Sequence, residues 1–288
     1  MSKSLLVSVI ITTKNEETRI EALLVSLKIQ TYKNIEVIVV DNNSTDKTKQ
    51  ICKKYTKKVY NKGPERSVQR NFGVSKAKGA WVLILDADME LTPKVVESCL
   101  DSIDGNVALI VPERTVGDSL IAKLRAFERE MYMGDPTVEV ARFFKRRVFL
   151  EFGGYDPDLT GPEDYDLPYR ISKKHEIGWS KEYILHRETE LTLRKLLGKK
   201  YYYAKRGALY AEKHPELVGI QGNMLFRKAY IRNWKRFVRE PVVGSLFMIV
   251  RILETAWAVA GYISAVGVFK FFKVFTRTCK EVIKKEKG

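Results

Sequence analysis

Asp86 and Asp88 stand two residues apart, directly after the apolar run 81–85. Two carboxylates at that spacing beyond a buried strand project from the carboxyl edge of a sheet, where both can reach a hard cation that prefers oxygen ligands. Mg²⁺ or Mn²⁺ held there can neutralise charge developing on a departing nucleotide diphosphate. The competing reading is a solvated turn after a strand. A second polar cluster comprises Thr13, Asn15, Glu16 and Glu17, followed by Asp41, Asn42, Asn43, Ser44 and Asp46. Carboxylates in such a place accept from a base N–H or from ribose hydroxyls, or else they cap the helices that follow, with Ser44 a candidate N-cap. A third group is Glu163, Asp164 and Asp166 in GPEDYDL. There Gly161 and Pro162 suggest a loop that opens a helix. An Asp at a helix N-terminus tends to be ionised and can take the proton of an attacking hydroxyl. The alternative is an acidic first turn with no chemistry. His186 ends the apolar run YIL, and a neutral imidazole there can ligate a metal or be structural. His175 and His214 receive no role. No GxGxxG or GxxxxGK[ST] occurs, so neither a dinucleotide-binding fold nor a P-loop is supported.

These residues need a scaffold, and the hydrophobic pattern supplies one. LLVSVIITT at 5–13, IEVIVVD at 35–41, WVLILD at 81–86 and VALIVP at 107–112 read as buried strands. Val59 and Tyr60 begin a short one. Helical spacing appears over 17–29, from Ser44, over 65–77 and from Pro93. Strand and helix alternate, so the fold class is α/β, with a mostly parallel sheet, helices on both faces and ligands at the strands' carboxyl ends.

Taken together, SVIITTKNEE, VIVVDNNSTDKT and RSVQRNFGVSKAKGAWVLILDADMEL resemble glycosyltransferase family 2, which has the GT-A (Rossmann-like) fold. GPEDYDL and ILHRE extend the resemblance, which covers about residues 5–190. It implies roles residue by residue. Asn15 and Glu17 line the nucleoside pocket, Asp41 takes the base or ribose, and Asp46 closes that segment. Arg70, Asn71 and Gly73 lie near the donor phosphates. Asp86 and Asp88 bind Mn²⁺ or Mg²⁺, with Asp86 also on the donor side, and His186 completes the metal shell. Asp164 of the Glu163–Asp164 pair is the general base, and Gly153-Gly154-Tyr155 lie near the acceptor. Two departures stand out. Thr13-Lys14 replaces a frequent Pro-x-Tyr, and no Gln-x-x-Arg-Trp follows Glu163–Asp164, which favours single addition over processive synthesis.

The 288 residues carry 51 Lys+Arg against 35 Asp+Glu, a net charge of +16. Residues 1–186 hold 29 basic and 27 acidic side chains, whereas 187–288 hold 22 and 8. The basic excess therefore belongs to the C-terminal third. That third also holds an amphipathic segment over 191–210, basic flanks at 228–240 and 270–288, and the 28-residue apolar stretch 242–269, interrupted only by Arg251 and Glu254. Basic residues beside aromatics and apolar runs suit an anionic membrane surface better than nucleic acid. A single crossing would place one basic flank outside, against the positive-inside rule. In-plane or re-entrant helices on the cytoplasmic face of the cell membrane are therefore expected, with a transmembrane hairpin as the alternative. Cys52, Cys99 and Cys279 form no CxxC pair, and 45% apolar residues argue against wholesale disorder. The N-terminus does not read as a signal peptide.

The expectation is a catalytic domain over 1–190 and a membrane-associating helical region over 191–288. The resemblance implies an inverting transfer from a nucleoside-diphosphate sugar, UDP-, GDP- or dTDP-linked. The basic tail points to a membrane-linked acceptor, either a lipid-linked saccharide or a polyprenyl phosphate; a phosphate acceptor needs no base. The rivals are a nucleotidyltransferase built on the same carboxylates, for which TTKNEETR offers no Gly-rich basic loop, and a non-catalytic membrane-surface scaffold.

Overall fold

A computed structural model describes residues 5–188, 191–221 and 224–271. The basic segment 272–288, with Cys279, lies outside the described residues. The chain divides into two compact units.

The first unit comprises residues 1–116, 139–157 and 163–188. In chain order it contains β1 (Val7–Thr13), α1 (Ile20–Lys28), β2 (Ile35–Asp41), α2 (Thr48–Lys53), β3 (Val59–Asn61), α3 (Arg66–Lys76), β4 (Trp81–Asp86), β5 (Met89–Leu91), α4 (Val95–Asp101), β6 (Ala108–Ile110) and β7 (Glu113–Val116). After α5 (Leu120–Tyr132), which belongs to the other unit, come β8 (Ala141–Lys145), α6 (Arg146–Glu151), α7 (Glu163–Ser172), β9 (Ile177–Trp179) and β10 (Ile184–Arg187). Seven strands form a sheet in the order β3-β2-β1-β4-β8-β6-β9. Its pairings are parallel except for the two made by β8. A small sheet, β5-β10-β7, lies apart from it in the hydrogen-bonding pattern.

The long strands form because they are buried on both faces, as β-branched runs tend to be in parallel sheets. Val7, Val9 and Ile11 of β1 face Leu23, Leu24 and Leu27 of α1 and Val95 and Val96 of α4. Their neighbour Ile10, with Val82 and Ile84 of β4, faces Val74 of α3, Phe149 of α6 and Leu167 of α7. Each fully buried aliphatic side chain contributes about 2 kcal/mol. The strand order reverses between β1 and β4, and a doubly wound sheet opens its ligand crevice at such a switch point, beyond the carboxyl ends. Thr12 and Asp86 are register partners there.

Three local expectations are corrected. Ser44 does not cap α2, which starts at Thr48, because its hydroxyl is turned back to Asp41. Pro93 lies just ahead of α4 rather than in its first turn. The helix expected over 191–210 breaks at Gly207, the residue type after proline least suited to a helix interior.

The second unit comprises residues 117–138, 158–162 and 189–288. Besides α5 it contains α8 (Leu193–Arg206), α9 (Ala208–Lys213), α10 (Pro215–Gln221), α11 (Lys228–Arg232), α12 (Trp234–Arg239) and the long α13 (Pro241–Val266). The last segment of this unit begins at residue 189, and α5, from the middle of the chain, also belongs here. The reason is packing: Leu124, Phe127 and Met131 of α5 share a core with Tyr230 and Phe247.

Candidate active site

Arg70 is the hub of the carboxyl edge. It comes from α3, is wholly buried, and spreads its guanidinium among three carboxylates. Nη2 donates to Asp86 Oδ1 and Oδ2 at 2.9 and 3.1 Å. Nη1 donates to Asp164 Oδ1 at 2.5 Å and to Glu163 Oε1 at 3.4 Å. Burial works against charge on Arg70, but Asp164 and Asp86 outweigh it and hold its proton more firmly than usual. Burial likewise penalises the Asp86 carboxylate, yet Arg70, Arg66 and Arg142 hold its pKa far below the usual carboxylate range. Thr12 Oγ1 adds a hydrogen bond to Asp86 Oδ1 at 3.0 Å, made possible by the β1–β4 register.

The two members of the acidic pair on α7 differ. Glu163 is buried, and its Oε2 has no hydrogen-bond partner among the described residues. Burial and then the charge of Asp164 push its pKa up. Asp164 keeps its bond to Arg70 and reaches the surface, with 16% of its side chain exposed. Asp166 is turned away and pairs with Arg170 at 2.7 Å. Arg170 in turn donates to the carbonyls of Phe152 and Gly154. Asn71 braces the same loop, accepting from the Tyr155 N–H at 2.9 Å and donating to the Tyr155 carbonyl at 2.7 Å. Gly154 has φ +70°, and a Cβ there would lie 2.5 Å from Asn71 Oδ1, so the turn requires glycine.

Asp88 has different company from Asp86. β10 pairs antiparallel with β5, setting His186 opposite Met89, one residue beyond Asp88. His186 Nε2 lies 3.1 Å from Asp88 Oδ2. On its other side, His186 Nδ1 is 3.6 Å from Glu188 Oε1 and 3.7 Å from Glu113 Oε2. Burial alone would raise the Asp88 pKa; the contact with His186 reverses this and lowers it. Among the described residues, no three His, Cys, Asp or Glu side chains converge as a ready metal cage. The residues Asp86, Asp88 and His186 thus lie at one edge but in two subsets.

The loops after β1 and β2 clasp each other. Asn15, at φ +54°, donates its N–H to Ser44 Oγ at 2.8 Å and accepts from the Thr45 N–H at 2.9 Å. Glu17 accepts from the Lys47 N–H at 2.9 Å, and its own N–H donates to Asp46 at 3.2 Å. Asp41, fully buried, accepts from the N–H of Ser44 at 2.7 Å and from its hydroxyl. Gln69, one residue before Arg70, donates to the carbonyls of Val40 and Thr13 at 2.7 and 3.2 Å and pins the two strand ends together.

Sequence reasoning passed over Arg66, Gln69, Arg142, Glu113 and Glu188. Arg142 donates to Glu113 Oε1 at 2.5 Å and lies 3.8 Å from Asp86. Arg66, one helical turn before Arg70, is 4.0 Å from Asp86 and 3.9 Å from Glu163, with 41% of its side chain exposed. Two signals were available: Arg66 and Arg70 share a helix face at i, i+4, and Glu113 follows a strand end as Asp86 does.

With this geometry in place, residues 8–155 match the family described as glycosyl transferase family 2. The chain belongs to that family. It is 29% identical over 188 residues to an uncharacterized glycosyltransferase of Haemophilus influenzae, a match covering 58% of this chain and 62% of that one. It is also 29% identical over 126 residues to the GalNAc(5)-diNAcBac-PP-undecaprenol β-1,3-glucosyltransferase of Campylobacter jejuni, covering 40% and 38%. The chain therefore spans less than two thirds of the length of either relative. Among solved structures, it is similar to the mannosyltransferase PcManGT of Pyrobaculum calidifontis in complex with GDP-Man and Mn²⁺ (TM-score 0.60, 17% identity, 98% and 81% covered). It is also similar to S. aureus TarS in complex with UDP-GlcNAc (TM-score 0.51, 19% identity, 91% and 89% covered). These likenesses show the GT-A fold for this family 2 chain.

Proposed function

We propose that the chain is an inverting, metal-assisted glycosyltransferase that moves a sugar from a nucleoside-diphosphate sugar to a membrane-linked acceptor. One observation carries this reading: a single buried guanidinium holds Asp86 on one side and Asp164 on the other, at the switch point of a GT-A sheet. The complexes of PcManGT with GDP-Man and of TarS with UDP-GlcNAc support a nucleotide-sugar donor. The undecaprenol-linked name of the Campylobacter relative supports a lipid-linked acceptor.

Asp88 and His186 fit a divalent cation. Asp88 Oδ2 and His186 Nε2, 3.1 Å apart, would offer it one carboxylate oxygen and one imidazole nitrogen. One carboxylate and one imidazole suit Mn²⁺ or Mg²⁺, with Glu113 and Glu188 orienting the ring from its far side. Asp86, already engaged by Arg70, supports the donor side. When bound, the metal offsets negative charge on the leaving nucleoside diphosphate.

The chain's own residues do the rest. The clasped loops of Asn15, Glu17 and Asp41 form the wall for the nucleoside. Arg66, rather than the enclosed Arg70, offers its guanidinium to the diphosphate. Arg70 fixes Asp164 Oδ1, so Oδ2 is the oxygen that receives the acceptor hydroxyl's proton. As that proton leaves, the acceptor oxygen bonds to the anomeric carbon from the face opposite the diphosphate. The C–O bond to the diphosphate then breaks with its electron pair, and the configuration inverts.

The test is a thermal-shift panel of UDP-, GDP- and dTDP-sugars, each with and without Mn²⁺, since a ligand of the native state raises the melting point. D88N is expected to lose the Mn²⁺-dependent part of the shift. D164N is expected to keep it while transfer to a hydroxyl acceptor falls about 10²–10⁴-fold. An unaltered Mn²⁺ response in D88N removes the metal assignment, and full turnover in D164N removes the base.

A further inference from the structure

α13 has 26 residues and is long and apolar enough to cross a bilayer. Its packing argues for a different use. One stripe of the helix, Gly244, Phe247, Arg251, Glu254 and Gly261, is buried within the second unit. Arg251 meets Glu128 of α5 and, at 3.1 Å, Glu254. Glu254 also faces Lys200 of α8, at 3.6 Å. Gly261 lies so close to α8 that a Cβ would sit 2.3 Å from the Tyr201 carbonyl oxygen. The contact with α8 thus runs from the middle of α13 almost to its end.

α8 cannot follow α13 into hydrocarbon. Its 14 residues include Arg194, Lys195, Lys199, Lys200, Lys205 and Arg206, and cations at bilayer depth are strongly disfavoured. The other stripe of α13 is apolar and exposed, with Val242, Ile249, Ile252 and Trp257 at helical spacing. The segment just before it also exposes the apolar side chains of Phe226, Ile231, Trp234 and Val238, interleaved in sequence with Lys228, Arg232, Lys235 and Arg239.

We propose that α13 lies in the plane of an anionic bilayer surface, its Val242–Ile249–Ile252–Trp257 stripe at the acyl boundary, while the ion cluster of Arg251, Glu254, Glu128 and Lys200 ties its opposite stripe to α5 and α8 and keeps it from crossing. The occupant is argued from charge: apolar residues framed by Lys and Arg match anionic headgroups over a shallow apolar layer. The inference rests on the membrane-linked acceptor reading and adds the orientation of the anchor.

The experiment uses the full chain with Cys279→Ser and one new cysteine at Glu240, Ile252 or Lys270. Cys52 and Cys99 are retained, because burial pushes both thiols up to about 12 and leaves them unreactive. Protein is added to sealed vesicles of phosphatidylcholine, alone or mixed with phosphatidylglycerol. Binding is expected only to the mixed vesicles, and it should weaken in 1 M salt, where the Debye length is about 3 Å. A fluorophore at 252 should shift to the blue, while cysteines at 240 and 270, at the two ends of α13 and off its apolar stripe, should both react with an impermeant reagent outside. I249E/I252E should lower partition about tenfold or more. Binding with one end protected and release by detergent alone overturns the in-plane orientation but leaves the membrane reading standing. Failure to bind any vesicle overturns the membrane reading itself.

Discussion

Each unit buries a network of ions around one arginine, and burial acts on the two arginines with opposite outcomes. Around Arg70, the cations Arg66, Arg70 and Arg142 face Asp86, Glu113, Glu163 and Asp164 among the described residues. Around Arg251, the cations Arg125, Lys200 and Arg251 share Glu128 and Glu254 among the described residues. Burial and uneven pairing lower the Arg251 pKa to about 10, whereas Arg70 holds its proton more firmly than a free arginine. Under the two proposals above, the same residue types serve a reaction in one unit and attachment in the other.

The comparison breaks first at its hub. R70M leaves Asp86, Glu163 and Asp164 together without their shared cation. Removing one partner from a buried ionic group costs about 3–5 kcal/mol, and with three carboxylates stranded the upper end is expected in urea unfolding. A loss below about 1 kcal/mol would mean that solvent, not Arg70, carries those charges.

R251M is expected to cost less, about 3 kcal/mol, because Glu128 keeps Arg125 and Glu254 keeps Lys200 when Arg251 is lost. The double variant R251M/E254L sharpens the contrast. Replacing both ions by apolar groups of similar size is often close to neutral, so the double variant should recover most of the loss. Equal destabilisation in the single and double variants would show that the cluster acts by packing rather than by charge.

The smallest effect lies outside both networks and serves as their control. Burial tends to raise the pKa of Glu36, but Lys58, the Ser8 hydroxyl and the Lys78 N–H outweigh it and lower the value below 4.5. A depressed carboxylate stabilises the fold above its unfolded pKa and loses that contribution as the pH falls through the folded value. E36Q should therefore cost about 1–2 kcal/mol at neutral pH, and its stability curve should merge with that of the parent below pH 4.5. A constant difference at all pH values would sink the charge explanation.

Much of this was legible in the sequence wherever one segment decides the outcome. β2 and β4 begin and end where the apolar runs do, at Ile35–Asp41 and Trp81–Asp86. The acids after those strands were identifiable because a strand end fixes which side of the sheet they occupy. What was not legible depends on distant partners. β8 is only five residues, ARFFK, and its antiparallel insertion is decided by β4 and β6. The membership of α5 in the second unit depends on Phe247, more than a hundred residues away. Arg70 stood out as part of a recognisable stretch near the donor phosphates; its enclosure by three carboxylates required α7 to come home.

The clasp between the loops after β1 and β2 bears on how new specificities could be built. Asn15 and Glu17 each bond to the backbone of the other loop, and Ser44 and Asp46 answer in return. Neither loop is an independent cassette. A chimera that imports only the Asn15–Glu17 side from another enzyme would lose its reciprocal partners and inherit a misshapen wall. Recombination should therefore keep the fold when the breakpoints carry residues 13–17 and 41–48 across together, so that the unit of exchange is the pair.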